Sequence, residues 1–490
     1  MTNVATTICS DHNELSSGSE EFDAIAGMQA IFKAQRDEYQ IKPEWDLVER
    51  KHRLKLLKKA FLANKEALVA ALSADYGHRS RHDSLYADIL PTVTQFNYTL
   101  AHLAKWMKPS RRSPGLLLAP ANVTVHYQSL GVVGIVVPWN FPINLAVVPL
   151  ISSIAAGNRV MLKMSEFTPL TNAVLKQVIT SVFNPVDVAL VEGETALSTA
   201  FTKLPFDHLL FTGSTQVGKH VMRAAADNLT PVTLELGGKS PVVVAPDIDI
   251  SEAVNRIMFG KSLNSGQICV APDYILCPRD KVEAFVSAYR NEFNRRYPDA
   301  MNNLDYTSII DERQYSRLKS WLEDAREKKA RIEEMVSGLS LDDQRHRMMP
   351  HLLLDVSAEM QVMQSEIFGP LLPIIPYDAI TDAIAYIKAK PHPLALYIMS
   401  FDKQVQQQIQ RATISGGIAI NDTIMQVAAE DAPFGGVGSS GMGHYHGIEG
   451  FRTLSKARTV LQQGKFHTTR FIHPPYDHWL QNIILKIFLR

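Results

Sequence analysis

Val132-Val133-Gly134-Ile135-Val136-Val137 is an unbroken apolar run set between Gly131 and Pro138. A strand with one wet face alternates apolar and polar residues; a strand covered on both faces does not. The run therefore predicts a buried strand of a parallel sheet. The same texture returns at residues 159–163, 186–191, 208–211 and 241–245. Helix-compatible segments lie between these runs, for example residues 170–183. Strand and helix in alternation specify an α/β protein. A second set of apolar runs follows at residues 274–277, 371–375 and 396–400, so two α/β lobes are expected, with a boundary near Glu235.

Working outward, residues 20–107 read as helical. Within them, residues 50–62 carry apolar positions at three-and-four spacing with basic residues between, which predicts a solvated basic face. Residues 109–120 are a break rich in Pro, Gly and Ser, and residues 122–127 alternate like an exposed strand. The last apolar stretch, Trp479 to Leu489, is too short to span a bilayer. It predicts a terminal helix that is packed or faces a partner copy, with an interfacial membrane contact as the sharper reading. Residues 1–23 hold five acidic residues and no basic-then-apolar leader, so they read as a solvated lead-in to a helix.

The chain has 490 residues, enough for two or more domains. Lys plus Arg and Asp plus Glu both number 50, a balance that argues against a nucleic-acid partner. Three cysteines make no disulfide framework and fit a reducing, cytoplasmic setting. Cys9 reads as part of a mobile tail and Cys277, in an apolar run, as a buried structural thiol. No Cys/His spacing fits a zinc set, so no metal is expected. His444 and His446 read as locally hydrogen-bonded.

Several segments can carry chemistry. Cys269 ends the string Asn264-Ser265-Gly266-Gln267-Ile268-Cys269, about thirty residues after Glu235-Leu236-Gly237-Gly238-Lys239. A thiol and a carboxylate, each among small residues, suit a nucleophile and its base. Alone, however, Cys269 reads more readily as a buried structural cysteine. Asn140, held between Pro138 and Pro142, can donate to an oxyanion or merely bond its own turn. Phe211 to Gly218 follows an apolar run and opens a helix, whose free N–H groups suit a pyrophosphate. The string also begins like a P-loop, but His220 stands where Mg²⁺ binding wants Ser or Thr. Lys163 and Glu166, at the end of an apolar run, can reach ribose hydroxyls or form a surface ion pair. Gly436-Val437-Gly438-Ser439-Ser440-Gly441 matches Gly-x-Gly-x-x-Gly but follows no buried strand, and reads as a backbone-packing loop.

In this order, Pro138–Pro142, Lys163–Glu166, Phe211–Gly218, Glu235–Lys239, Gly266–Cys269, Glu366-Ile367-Phe368-Gly369-Pro370 and Pro433-Phe434-Gly435-Gly436 resemble the aldehyde dehydrogenase superfamily from about residue 30 to about residue 465. Cys269–Tyr274, Asn421-Asp422-Thr423 and Gly441–Gly447 resemble its class 3 branch. Residues 204–208 through 228–235 are similar to bacterial coniferyl aldehyde dehydrogenases. Met164 and Ser265 depart from the usual wording, which has Pro and Ala there.

The resemblance implies two Rossmann-like parallel-sheet lobes and a small β oligomerisation arm. It places an NAD-binding domain at 1–119 and 131–236, a catalytic domain at 237–440, bridging strands at 120–130 and 456–463, and a tail at 464–490. It implies oxidation of an aldehyde, coniferaldehyde or another aromatic one, with a medium- or long-chain aliphatic aldehyde as the alternative. Cys269 would be the nucleophile, Glu235 the base that activates water, and Asn140 the oxyanion donor. Trp139, Lys163, Glu166, Gly213, Ser214, Gly218, Glu366 and Phe368 would hold NAD, with NADP also admitted. A homodimer is implied. Two rivals stand beside it: a cysteine acyl transferase or hydrolase without redox chemistry, and an inactive structural protein of the same fold.

Overall fold

The computed structural model describes the backbone of residues 5–336, 338 and 340–489, and side chains from residue 22 onward within that range. The strands in chain order are β1 (Ser110–Arg112), β2 (Asn122–Ser129), β3 (Val132–Val136), β4 (Arg159–Lys163), β5 (Val188–Val191), β6 (His208–Gly213), β7 (Val232–Leu236) and β8 (Pro241–Val244). They continue with β9 (Tyr274–Pro278), β10 (Arg331–Glu334), β11 (Leu341–Asp342), β12 (Arg347–Met348), β13 (His351–Leu354), β14 (Leu371–Tyr377), β15 (Ala395–Met399), β16 (Gly417–Ile420), β17 (Gly441–Met442) and β18 (Ser455–Gln462).

Two sheets carry the fold. The first runs β17-β7-β6-β3-β4-β5, parallel except for β17. The apolar run that opened the reading is β3, at its centre. The chain winds outward from β3 through β4 to β5, then returns to the other side of β3 for β6 and β7. That reversal between β3 and β6 is where α/β sheets open a crevice for a ligand at the carboxyl ends of their strands. The second sheet runs β10-β13-β14-β9-β8-β15-β16, parallel except for β10. The run at 241–245 thus opens the second sheet instead of extending the first. Four residues, Gly237 to Ser240, separate Leu236 of β7 from Pro241 of β8, and the chain changes sheets across them.

The helix Pro142–Ala156 follows β3 and is apolar on nearly every face, so it is buried on nearly every face. Pro142 sits in its first turn, where the missing N–H costs nothing.

Several local readings were corrected or narrowed. Residues 122–127 form a half-buried strand and not a free one: β2 is the middle strand of a β1-β2-β18 sheet, and only Asn122 is exposed. The basic run at 50–62 is not all solvated. Arg50 is buried, donating to Trp45 O at 2.7 Å and Ala155 O at 2.8 Å, so its guanidinium ties two helix ends together. The helix Trp479–Phe488 packs on the chain only in part: Gln481 is buried and donates to His473 O at 2.9 Å, while Trp479, Ile483, Leu485, Ile487 and Phe488 are exposed, which leaves the partner-facing reading open. The first helix, Ala5–Ile41, takes in the supposed lead-in. The side chain of Cys9 and most of those at 1–23 lie outside the described residues. His446, finally, is buried with Nδ1 unpartnered; its ring stacks on Phe434 instead of bonding locally.

Candidate active site

Cys269 lies on the connection between the helix Ile250–Ser262 and β9. Three successive residues before it are left-handed: Asn264 at φ 50°, Ser265 at φ 52° and Gly266 at φ 74°. Two of them are not glycine, so the turn stores strain that the surroundings must hold. They do. Asp83 accepts from the Asn264 N–H at 2.9 Å, and Ser265 Oγ donates to Thr307 O. Gln267 is fully buried; its amide donates to Asn264 O and Ser308 O and accepts from the Ile310 N–H at 3.1 Å.

Asn140 closes on the same turn. Its Nδ2 donates to Gln267 O at 3.2 Å, leaving the second amide hydrogen uncommitted. Its carbonyl receives Arg79 Nη1 at 2.6 Å, Tyr76 Oη at 3.2 Å and Asn264 Nδ2 at 3.3 Å. Arg79 is itself locked to Asp88 at 2.8 Å, both side chains fully buried. A lone Asn in a turn needs none of this. Arg79, Asp88 and Asp83 left no mark on the sequence reading because they come from the helical region, far from every motif. Asn264 was quoted only as part of the cysteine string.

Glu235 stands on β7 opposite Thr212 of β6. Its carboxyl is buried and neither oxygen has a hydrogen bond of standard geometry. Burial pushes it up to about 7, with the Cys269 thiol and Thr212 hydroxyl near enough to pull it partly back. Burial also pushes the Cys269 thiol well up, and the neighbouring Glu235 and Glu366 charges add to that; only its own N–H opposes. The resting sulfur is therefore a thiol, next to a carboxyl poised to take its proton. Tyr445, buried beside both, was not singled out from the sequence.

Glu366 and Phe368 arrive on the loop before β14. Lys239 and Asp273 hold that loop. Lys239 Nζ pairs with Asp273 and donates to Val362 O at 2.6 Å and Ser365 O at 3.0 Å. The other Asp273 oxygen accepts the Ile367 N–H at 2.8 Å. Burial pushes Glu366 up to about 8, reinforced by Asp273. Phe368 meets Trp139 edge to face at 5.3 Å.

The remaining candidates gather at the carboxyl ends of β4 and β6. Lys163 is buried and donates to Met164 O at 2.7 Å, while Glu166 is exposed; they form no ion pair. Burial holds the Lys163 ammonium below its usual value. Ser214 caps the helix Thr215–Ala226, which starts directly after β6. Gly213 precedes it. Gly218 faces inward, where a Cβ would meet Leu236 at 2.6 Å. It serves by letting the helix approach the sheet.

A cavity of about 160 Å³ opens onto Cys269. Its walls are mainly apolar, including Leu145, Val148, Ile268, Val270 and Ile424. Cys269 thus borders an apolar cavity, with the Glu235 carboxyl beside its thiol and the Asn140 amide on the carbonyl of Gln267, two residues before it.

The aldehyde dehydrogenase family model matches residues 18–460. A probable coniferyl aldehyde dehydrogenase of Pseudomonas aeruginosa is 50% identical over 466 residues, 95% of this chain and 97% of that protein. The substrate-bound Staphylococcus aureus AldH superposes with a TM-score of 0.89 at 35% identity, covering 94% of this chain and 99% of the other. A Mycobacterium tuberculosis aldehyde dehydrogenase complexed with NAD+ gives 0.80 at 29% identity, covering 90% and 91%. The chain belongs to the aldehyde dehydrogenase family.

Proposed function

We propose that the chain oxidises an aromatic aldehyde such as coniferaldehyde to its acid with NAD(P)+, through Cys269. The observation that carries this reading is the buried carboxyl of Glu235, held near neutrality beside a protonated thiol at the end of an apolar cavity.

Glu235 takes the thiol proton, and the thiolate attacks the carbonyl carbon. A C–S bond forms and the carbonyl π pair moves to oxygen. That oxygen receives the free Asn140 amide hydrogen and the Cys269 N–H. When bound, NAD(P)+ supplies an acceptor for the hydride that leaves the adduct. The carbonyl re-forms as that C–H bond breaks, and a thioester stays on Cys269. Glu235 passes the thiol proton to solvent and, again a carboxylate, draws a proton from the water that attacks the thioester. The C–S bond breaks, and the acid departs.

Lys163 and Glu166 fit a ribose at the end of β4, because neither is spent on the other. Gly213 and Ser214 fit the pyrophosphate at the helix N-terminus. Trp139, Glu366 and Phe368 fit the nicotinamide end. Glu166 favours NAD over NADP, since a 2′-phosphate would set like charges together.

The apolar walls also suit a medium- or long-chain aliphatic aldehyde. NADH absorbance after mixing with NAD+ and coniferaldehyde, benzaldehyde or octanal ranks these substrates by kcat/KM. Cys269→Ala should silence the signal while NAD+ still binds; turnover by that variant would remove the nucleophile assignment.

A homodimer is part of the same proposal. β18 presents an open edge and is exposed along all but its first residue, a face that asks for cover. We assign the exposed tail helix to the same contact. Among the described residues no helix is long and apolar enough to cross a membrane. Light scattering of the chain ended after Gln463 tests the dimer. Sedimentation of the full chain with phosphatidylglycerol vesicles tests the competing membrane contact. A reducing, cytoplasmic setting suits the free thiols of Cys269 and Cys277.

A further inference from the structure

Gln95 is a buried polar side chain of the cavity with an acceptor to spare. Gln95 lies on the helix Leu90–Trp106, entered through the wide turn Leu85–Ile89. Ala87, Pro91 and Gln95 line the cavity at four-residue spacing, so one face of this helix forms a wall. Gln95 is 2% exposed. Its Nε2 donates to Thr99 Oγ1 at 3.2 Å. Its Oε1 accepts no hydrogen bond among the described residues, although the side chain borders the same space as Cys269.

The other polar groups of the wall are placed differently. Tyr86 is 61% exposed and marks the mouth. Asn144 gives its Nδ2 to Thr92 Oγ1 and also keeps its Oδ1 free, but its N–H is on Asp88, which places it at the reacting end and not at the far one. The His446 ring is stacked on Phe434 and buried, beside Tyr445 at the reacting end. Gln95 is set back from that end. Asp88 marks the level of the catalytic asparagine, since it accepts the Asn144 N–H and holds the Arg79 that supports Asn140. Gln95 lies seven residues further along the helix, a rise of about 10 Å.

We infer that Gln95 is a specificity-determining residue that accepts a hydrogen bond from a ring hydroxyl at the far end of the substrate. The substrate class is a 4-hydroxyaryl aldehyde whose ring is joined to the carbonyl by a conjugated two-carbon spacer. Such a molecule is flat and stiff, and it places its only donor opposite the carbonyl. An aliphatic aldehyde brings no donor and leaves a buried acceptor unpaired, which is costly. A benzaldehyde is too short to engage both ends. The inference rests on the aromatic-aldehyde reading and narrows it.

The test compares 4-hydroxycinnamaldehyde, 4-methoxycinnamaldehyde and cinnamaldehyde in the wild type and in Gln95→Leu. The methoxy compound keeps the length and removes the donor. The wild type should favour the hydroxy compound by about tenfold or more in kcat/KM. Gln95→Leu should bring the three values close together. Each ratio is taken within one preparation, so a partly misfolded variant does not disturb it. A preference that survives in Gln95→Leu, or a wild type without one, overturns the role of Gln95. A wild type that oxidises octanal and none of the three aromatic compounds sinks the aromatic reading itself.

Discussion

Gly237 and Glu366 stand in contact: a Cβ placed on Gly237 would fall 1.8 Å from Glu366 Oε2. The glycine after the buried carboxylate of β7 thus makes room for the second carboxyl of the site. Gly237→Ala should push Glu366 out of place without unfolding the protein. A displacement near 1 Å costs on the order of 10²-fold, read here in kcat/KM for NAD+. An alanine variant with ordinary cofactor kinetics would show that Glu366 has no fixed place to keep.

Burial of Glu235 makes both rate and stability depend on pH. In the proposed mechanism the carboxylate is the working base, so kcat/KM should rise with pH through about 7 and level above it. Glu235→Gln should lose that limb and stall at the thioester, giving a hydride burst without steady turnover.

Stability runs the other way. The folded value of about 7 lies above the ordinary 4.5, so the folded state holds a proton that the unfolded chain releases between those values. The native protein loses stability as pH rises through that window. Glu235→Gln should be the more stable protein at pH 8, by on the order of 3 kcal/mol. The difference should vanish near pH 4. Urea titrations at the two pH values check it.

Asn140→Ala removes one donor aimed at developing charge and should lower kcat on the order of 10²–10³-fold. Its carbonyl is held by the backbone and should keep its three donors, so the fold should survive. An effect under about tenfold would reduce Asn140 to a turn residue.

Glu166→Gln should raise the NADP+ to NAD+ ratio of kcat/KM by about tenfold, because one negative charge near the ribose is gone. An unmoved ratio would place cofactor choice elsewhere.

Much of this was legible before any coordinates. Apolar runs such as Val132–Val136 announce themselves, since a strand buried on both faces admits no polar alternation. Cys269, Glu235 and Asn140 lie in short strings whose small residues and prolines mark close approach. What stayed hidden depends on distance along the chain. Arg79 supports Asn140 from sixty-one residues away, and no local pattern encodes that. Lys239 was quoted in its motif, yet its bond to Asp273 was not, because only the fold brings them together. The run at 241–245 has the right texture for either sheet; which one it joins is decided by the crossing at Gly237 and Gly238. The tail helix shows the converse limit, where apolar composition implied a cover that this chain does not itself supply.

β17 has a consequence for how the molecule is made. It is the outermost strand of the first sheet, pairing Gly441 with Glu235, yet it is translated only after every strand of the second. While the ribosome is still producing β8 to β16, β7 carries an unguarded edge at Glu235. A gene fragment ending at Leu236 would therefore yield an incomplete, sticky sheet and not a free-standing cofactor module.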